Sequence, residues 1–335
     1  MISTPRALRP TVLVLSLGGT IAMSAPSGGG GAAPRLRAAD LVASVPDLAE
    51  AATLELQDFR QTPGAWLEID DIVAVADLLN QRAQSGTAGF VITQGTDTLE
   101  ETAFLLDLLY TGEAPVVITG AMRTAEMPGA DGPANLLAAV RTAASPSARG
   151  LGVLVAFADE LHAARHVQKV HSTSTSAFAS PGAGPVGYVV EDQPRFPFAV
   201  PRQTPVGLPW VRPASVEVIE ANLGASAALL NAAAGLADGL VIAAFGAGHT
   251  PKTWAEPLGD LAARAPVVLA SRTGAGSILS STYHFGPGSE TDLLKRGLIN
   301  GGDLEPRKAR LLLLALLRSG AELPEIRDAF EARRR

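Results

Sequence analysis

The chain has 335 residues, 47% of them hydrophobic and 18% charged, enough for one large or two medium α/β domains with sizeable cores. A formal net charge of -6 and 5% aromatic residues exclude an extended nucleic-acid surface, which would need clustered Lys and Arg interleaved with stacking side chains. With no cysteine there is no disulfide, thiolate nucleophile or Cys-ligated metal, and a small neutral or zwitterionic ligand is the better expectation.

Arg6 and Arg9 precede an apolar stretch in the manner of a signal peptide, but Val12 to Leu17 is short and runs straight into glycines, so it is expected to form a buried first strand. No uninterrupted apolar segment approaches the ~18 residues of a membrane span. The chain is expected to be cytoplasmic, with no membrane or nucleic-acid partner. Further β-rich runs follow at Phe90 to Thr93, Val116 to Thr119, Val153 to Phe157, Val216 to Ile219, Leu240 to Ala243 and Val267 to Leu269. Between most of them lie Ala/Leu-rich stretches of helical spacing, such as Leu67 to Asn80 and Leu99 to Tyr110. That alternation predicts two α/β domains with mostly parallel sheets, the N-terminal one larger. Residues 194 to 213 hold six prolines without helical period and form the expected linker between a domain at 1 to 193 and one at 214 to 335.

Two helix starts are legible. Thr98 and Glu101 have the spacing of a capping box, and Asp131 stands as N-cap candidate before Gly132 and Pro133. Both helices begin just after a strand-end loop, where open α/β sheets bind ligands.

The first such loop carries Gly18, Gly19 and Thr20. A Walker loop would need a lysine that nothing here supplies, and a dinucleotide turn needs a glycine spacing that is absent; a plain tight turn is the simpler reading of the glycines. The second loop, Thr93-Gln94-Gly95-Thr96-Asp97-Thr98, could equally use Thr96 or Asp97 only to cap a helix. Two strand ends that each offer glycine and a hydroxyl nevertheless suggest a convergent site, in which a threonine would need a base. Of four lysines, Lys169 can approach that edge, whereas Lys252, Lys295 and Lys308 are expected on solvated surface. His162 and His166 stand four apart, with His171 beyond, but Ala163 occupies the position where a zinc-protease motif needs Glu; a polar loop is the plainer reading.

Taken together, GGTIA at 18 to 22, ITQGTDTLEETAFLLDLL at 92 to 109, PVVITGAMR at 115 to 123, ADGPANLLAAV at 130 to 140, the segment from Asp159 to Lys169 and LEPRKARLLLLALL at 304 to 317 resemble the bacterial-type L-asparaginase and glutaminase-asparaginase family. The resemblance covers nearly the whole chain. It implies an amidohydrolase that releases ammonia from asparagine, Thr20 being the nucleophile of an acyl-enzyme and Thr96, Asp97 and Lys169 a second constellation. Lys169 would draw a proton through Thr96, and Asp97 would steady Lys169 and hold the substrate ammonium. Gly95 and Thr96 would donate N–H groups to the oxyanion, the Ala121 carbonyl would accept the substrate amide, and Gly19 would line the substrate. No metal or organic cofactor is implied, and a homo-oligomer, dimer or tetramer, is expected.

Two departures stand out. The family's lid tyrosine has no counterpart in MSAPSGGGGAAPRLR at 23 to 37, in which Gly28 to Gly31 are expected to act as a flexible lid or hinge. Tyr283 is expected to take the tyrosine's role, across a subunit interface. Alignment on Trp66 puts Asp58 and Phe59 where the family holds the substrate carboxylate; an anionic Asp58 would repel it, with Arg60 as the expected compensation. Ala247 likewise replaces a frequent asparagine. A non-catalytic amino-acid-binding or sensing protein, or an amidase acting on a different small amide, are the alternatives.

Overall fold

Five of the six residues from Val12 to Leu17 are apolar, Ser16 being the exception, and they leave no polar face to give to water, so this segment must be covered on both sides. In the computed structural model, which describes residues 9–24, 33–198, 201–233 and 235–334, it does become a buried central strand. The chain divides into two compact units, Met1–Pro205 and Val206–Arg335. Each has its own sheet.

The first unit holds an eight-stranded sheet. Its strands in chain order are β1 (Thr11–Gly18), β2 (Thr53–Thr62), β3 (Gly89–Thr93), β4 (Val116–Thr119), β5 (Val153–Phe157), β6 (Glu160–Ala163), β7 (Gly187–Val190) and β8 (Gln193–Arg195). Across the sheet they run 8-7-6-5-4-3-1-2. The block 2-1-3-4-5 is parallel, and β6 to β8 continue it as an antiparallel meander. Strand order reverses between β1 and β3, where Ser16 lies beside Thr93. Loops leaving the carboxyl ends of strands on either side of such a reversal diverge and leave a crevice.

Helices α1 (Ala38–Ala43), α2 (Ile69–Gln84), α3 (Leu99–Leu109) and α4 (Gly132–Ala144) accompany this sheet. One face of the sheet packs Val12, Val14, Val91 and Val117 with Leu136, Ala139, Val140 and Ala143 of α4 into a continuous core. Small residues on α4 permit close approach: a Cβ placed on Gly89 would stand 2.0 Å from the Ala143 carbonyl oxygen.

The second unit carries four parallel strands, β9 (Val216–Glu220), β10 (Gly239–Ala244), β11 (Val267–Ser271) and β12 (Ile299–Asn300), side by side in chain order. Ile242 and Leu269 pack with Trp254, Leu258 and Leu293 on one side. The amphipathic helix α5 (Pro306–Arg318) packs against the same sheet, and its Leu313 leaves no room for a side chain on Gly239.

The β-rich runs legible in the sequence all become strands, and the two α/β units with mostly parallel sheets match the expected fold class. Three local expectations need correction. Thr98 begins α3 but does not cap it: its hydroxyl donates to the Gly64 carbonyl at 2.9 Å and accepts from Gln94 Nε2 at 3.0 Å. Asp131 precedes α4 but does not cap its backbone: its carboxylate accepts from the backbone N–H groups of Met122 and Arg123 at 2.9 Å each, and from Asn135 Nδ2 at 3.3 Å. Lys308, expected on the surface, is only 1% exposed, in a first turn of α5 whose Pro306 and Ala309 neighbours are buried as well. Among the described residues no helix is long and apolar enough to cross a membrane.

Candidate active site

Glycines stand at the carboxyl ends of four adjacent parallel strands, and they let the strand-end loops touch backbone to backbone. After β1, Gly18 and Gly19 take φ of +97° and +83°. A Cβ on Gly19 would lie 2.0 Å from the Gly95 nitrogen, and one on Gly18 would lie 2.6 Å from the Thr62 oxygen. After β3, a Cβ on Gly95 would lie 2.9 Å from the nitrogen of Gly64, which follows β2. After β4, a Cβ on Gly120 would meet the Gln94 carbonyl at 2.6 Å. Only glycine satisfies contacts this close, so the simple-turn reading of GGT explains the glycines but not their convergence.

The turn forced by Gly18 and Gly19 delivers Thr20 as the first residue of a single 3-10 turn, Thr20–Ala22, closed by the Ala22 N–H to the Gly19 carbonyl at 2.9 Å. Thr20 is half-buried, while Ile21 and Ala22 are packed into the core beneath it. The 3-10 turn therefore presents the threonine at the crevice and anchors itself by the two residues that follow.

The loop after β3 holds Thr96, which is 5% exposed, and Asp97, whose side chain is 67% exposed. Lys169 reaches both. Its Nζ donates to Thr96 Oγ1 at 2.9 Å and to Asp97 Oδ1 at 2.8 Å. An ion pair this open to solvent adds about 0–1 kcal/mol to stability, so its consequence is orientation of the ammonium. Lys169 sits on a short ribbon, Gln168–Lys169 against Phe178–Ala179, which is fastened to the end of β5 by Phe178 against Phe157 at 4.8 Å between ring centres. The structure thus brings Thr96, Asp97 and Lys169 into direct contact, and brings Gly19 against Gly95 so that Thr20 flanks them.

Ala121 is buried at the start of the next loop, two residues after the end of β4. That loop is held from behind by Asp131, and by Asn135, which donates to the Gly120 carbonyl at 3.1 Å and accepts from the Ala158 N–H at 3.0 Å. Ala158 and Asp159 both have positive φ, 51° and 63°, in the tight turn joining β5 to β6. The ADGPAN stretch therefore ties the loops after β4 and β5 together. Nothing in its spacing announces this, because Asp131 and Asn135 read equally well as helix-start residues.

Asp58 and Phe59 lie inside β2, four and three residues before its end at Thr62. Asp58 pairs with Ser16 in the sheet, and its Oδ1 accepts the Ala38 N–H at 2.8 Å. Arg60 turns to Asp71 at 2.7 Å and lies over the Phe59 ring at 5.0 Å. The residue of this connection that packs against Gly95 is Gly64.

The histidines do not converge. His162 is fully buried, its Nδ1 2.9 Å from Ser180 Oγ and its Nε2 3.2 Å from Glu160. His171 Nδ1 accepts from the backbone of Thr173 and Ser174. No group of three or more His, Asp or Glu able to hold a metal occurs among the described residues.

In the second unit, Glu290 is completely buried and receives the Tyr283 N–H at 2.7 Å, with His249 Nε2 3.2 Å away. Burial pushes its carboxyl up, but hydrogen bonds from the backbone of Tyr283 and Glu290 and from His249 prevail, and its pKa is lowered. Tyr283 is 44% exposed, and its ring stands edge-on to His249 at 4.9 Å between ring centres. The expected lid glycines, Gly28 to Gly31, lie outside the described residues.

A doubly wound α/β unit with two threonine-bearing turns and a lysine at its switch point, followed by a smaller parallel unit, is an architecture of the amidohydrolase class. The chain belongs to the asparaginase family: residues 11–200 match the model "Asparaginase, N-terminal" and residues 215–330 the model "Glutaminase/Asparaginase C-terminal domain". It is 39% identical to a probable L-asparaginase of Deinococcus radiodurans, covering 96% of this chain and 97% of that protein. It is 33% identical to a probable periplasmic L-asparaginase of Haemophilus influenzae, covering 96% and 93%. The crystal structure of a probable cytoplasmic L-asparaginase from Campylobacter jejuni superposes with a TM-score of 0.85 at 30% identity, covering 96% of this chain and 99% of the other.

Proposed function

We propose that the chain hydrolyses the side-chain amide of L-asparagine to L-aspartate and ammonia through an acyl-enzyme on Thr20. The observation that carries this reading is the contact of Lys169 Nζ with Thr96 and Asp97, on the loop whose Gly95 backbone abuts Gly19. A threonine hydroxyl is a weak nucleophile, and this loop supplies the two things it needs.

Thr20 Oγ1 forms the bond to the amide carbon and passes its proton to the Thr96–Lys169 pair in its deprotonated form, while the carbonyl oxygen takes up negative charge. Backbone N–H groups of Gly95 and Thr96 are proposed as its donors; removal of one such donor typically costs about a hundred- to a thousandfold in rate. The C–N bond then breaks and the departing nitrogen takes that proton back from the Thr96–Lys169 pair to leave as ammonia, which returns the pair to its deprotonated form. Water attacks the ester, losing its proton to the Thr96–Lys169 pair in its deprotonated form, and Thr20 is regenerated. Asp97 orients Lys169 and offers its second, solvent-facing side to the substrate ammonium. Gly19 and the Ala121 carbonyl border the amide end. Asp58 and Phe59 remain proposed neighbours of the α-carboxylate. Tyr283 is proposed as the replacement for the lid tyrosine.

The names of the relatives support L-asparagine as substrate, and the name of the Campylobacter protein, a probable cytoplasmic L-asparaginase, supports a cytoplasmic setting here, although the Haemophilus relative is named as periplasmic. A homo-oligomer, dimer or tetramer, belongs to the same proposal. The test is ammonia release from asparagine, glutamine, D-asparagine and small amides. L-Asparagine should give the highest kcat/KM, with Thr20→Ala and Lys169→Ala each at least about a thousandfold slower. Binding of these amides without release of ammonia would leave a sensing protein as the better reading. In the same assay, Tyr283→Phe at a rate within a few fold of the unaltered protein removes Tyr283 from the mechanism.

A further inference from the structure

Glu100 stands in the first turn of α3 and is 1% exposed. A glutamate is almost never so buried unless the surrounding structure has a use for its oxygens. Here one use is explicit: Glu100 Oε2 accepts the backbone N–H of Lys169 at 2.5 Å. The same eleven-residue helix is entered through Thr96 and Asp97, which receive the other end of that lysine. Lys169 is therefore gripped twice by one short segment, at its root by Glu100 and at its tip by Thr96 and Asp97.

We infer that Glu100 is a positioning residue for the reaction, setting where the flexible lysine stem begins so that Nζ meets Thr96 Oγ1. The inference rests on the proposed role of Lys169. A lysine stem has four rotatable bonds and many rotamers, so fixing its tip alone leaves many ways to miss. The two-residue ribbon that bears Lys169 has little pairing of its own, and the Lys169 N–H points out of it, toward α3. Glu100 ties that edge to the element that also carries Thr96. The lysine and its partner then move as one body.

A carboxylate in the first turn also offsets the helix dipole, and that structural role alone predicts lower stability with unaltered turnover by the folded enzyme. The variants that separate the two are Glu100→Asp, which draws the acceptor back by one methylene, and Glu100→Gln, which keeps an acceptor in place. Each is made alone and together with Lys169→Ala, and kcat and KM for L-asparagine are measured with the fraction folded followed by thermal unfolding. Glu100→Asp should lower kcat about ten- to a hundredfold with KM changed little, as a misplaced catalytic group does. Glu100→Gln should recover most of that loss. On the Lys169→Ala background, Glu100→Asp should have no further effect on kcat. Equal kcat for Glu100→Asp and the unaltered enzyme, or the same loss with and without Lys169, would overturn the inference. Full activity of Lys169→Ala by itself would instead overturn the proposed role of the lysine.

Discussion

Gly19 shows how much a single residue without a side chain can decide. Its φ of +83° and ψ of -173° fall in a region essentially confined to glycine, and its missing Cβ is what lets the Gly95 nitrogen approach. Gly19→Ala should lower the unfolding free energy by at least about 1–3 kcal/mol from strain alone. Activity should fall further than stability, because relief of the clash pushes the Thr20 turn away from the Gly95 loop; denaturant unfolding and ammonia release on the same preparation compare the two. Thr98 teaches the opposite lesson. Its spacing to Glu101 is that of a helix cap, yet its hydroxyl bonds Gly64 and Gln94, because closing the loops after β2 and β3 against each other offers it better partners than its own helix.

At the scale of elements, the site depends on helices α3 and α4 as much as on the strands. The residue before α4, Asp131, and Asn135 at its start brace the loop carrying Ala121 and join it to the turn after β5. Asn135 is 3% exposed, and loss of its amide strands the buried Gly120 carbonyl, at a cost of about 1–3 kcal/mol. Asn135→Ala should show that loss in denaturant unfolding, together with a raised KM, while Asn135→Asp, which keeps one acceptor for the Ala158 N–H, should show an intermediate loss. Buried strands such as β1, β3, β4 and β10 were legible as apolar runs, since both faces of each are covered, whereas the largely exposed and polar β2 was not. Their lateral order 2-1-3-4-5 and the antiparallel meander were not, because pairing joins residues far apart in the chain and leaves no periodic trace.

At the scale of the whole molecule, the two units have separate sheets and separate cores. Acid should act on the second through Glu290. Its folded-state pKa lies below the ordinary value of 4.5, so the group stabilises the unit at pH above that value, and this contribution is lost as pH falls through the folded pKa. Denaturant unfolding at neutral pH and from about pH 5 downward should show a steeper loss in the unaltered protein than in Glu290→Gln, which has no carboxyl to titrate. Equal slopes would show that the carboxyl has the same pKa in both states. Loss of the Glu290 carboxylate also frees the Tyr283 N–H, so the loop bearing Tyr283 is held by the same group.

The sequence by itself determined the alternation of strand and helix, the division into two α/β units and the family, because apolar periodicity and contiguous motifs are local properties of the chain. It marked Thr20, Thr96, Asp97 and Lys169 as candidates through that family resemblance. Only the tertiary structure decided that Lys169 touches Thr96 across 73 residues, that Gly19 lies on Gly95, and that Glu100 holds the root of the lysine. Those contacts arise where strand order reverses between β1 and β3, and the reversal is a product of sheet pairing among distant segments rather than of any one of them.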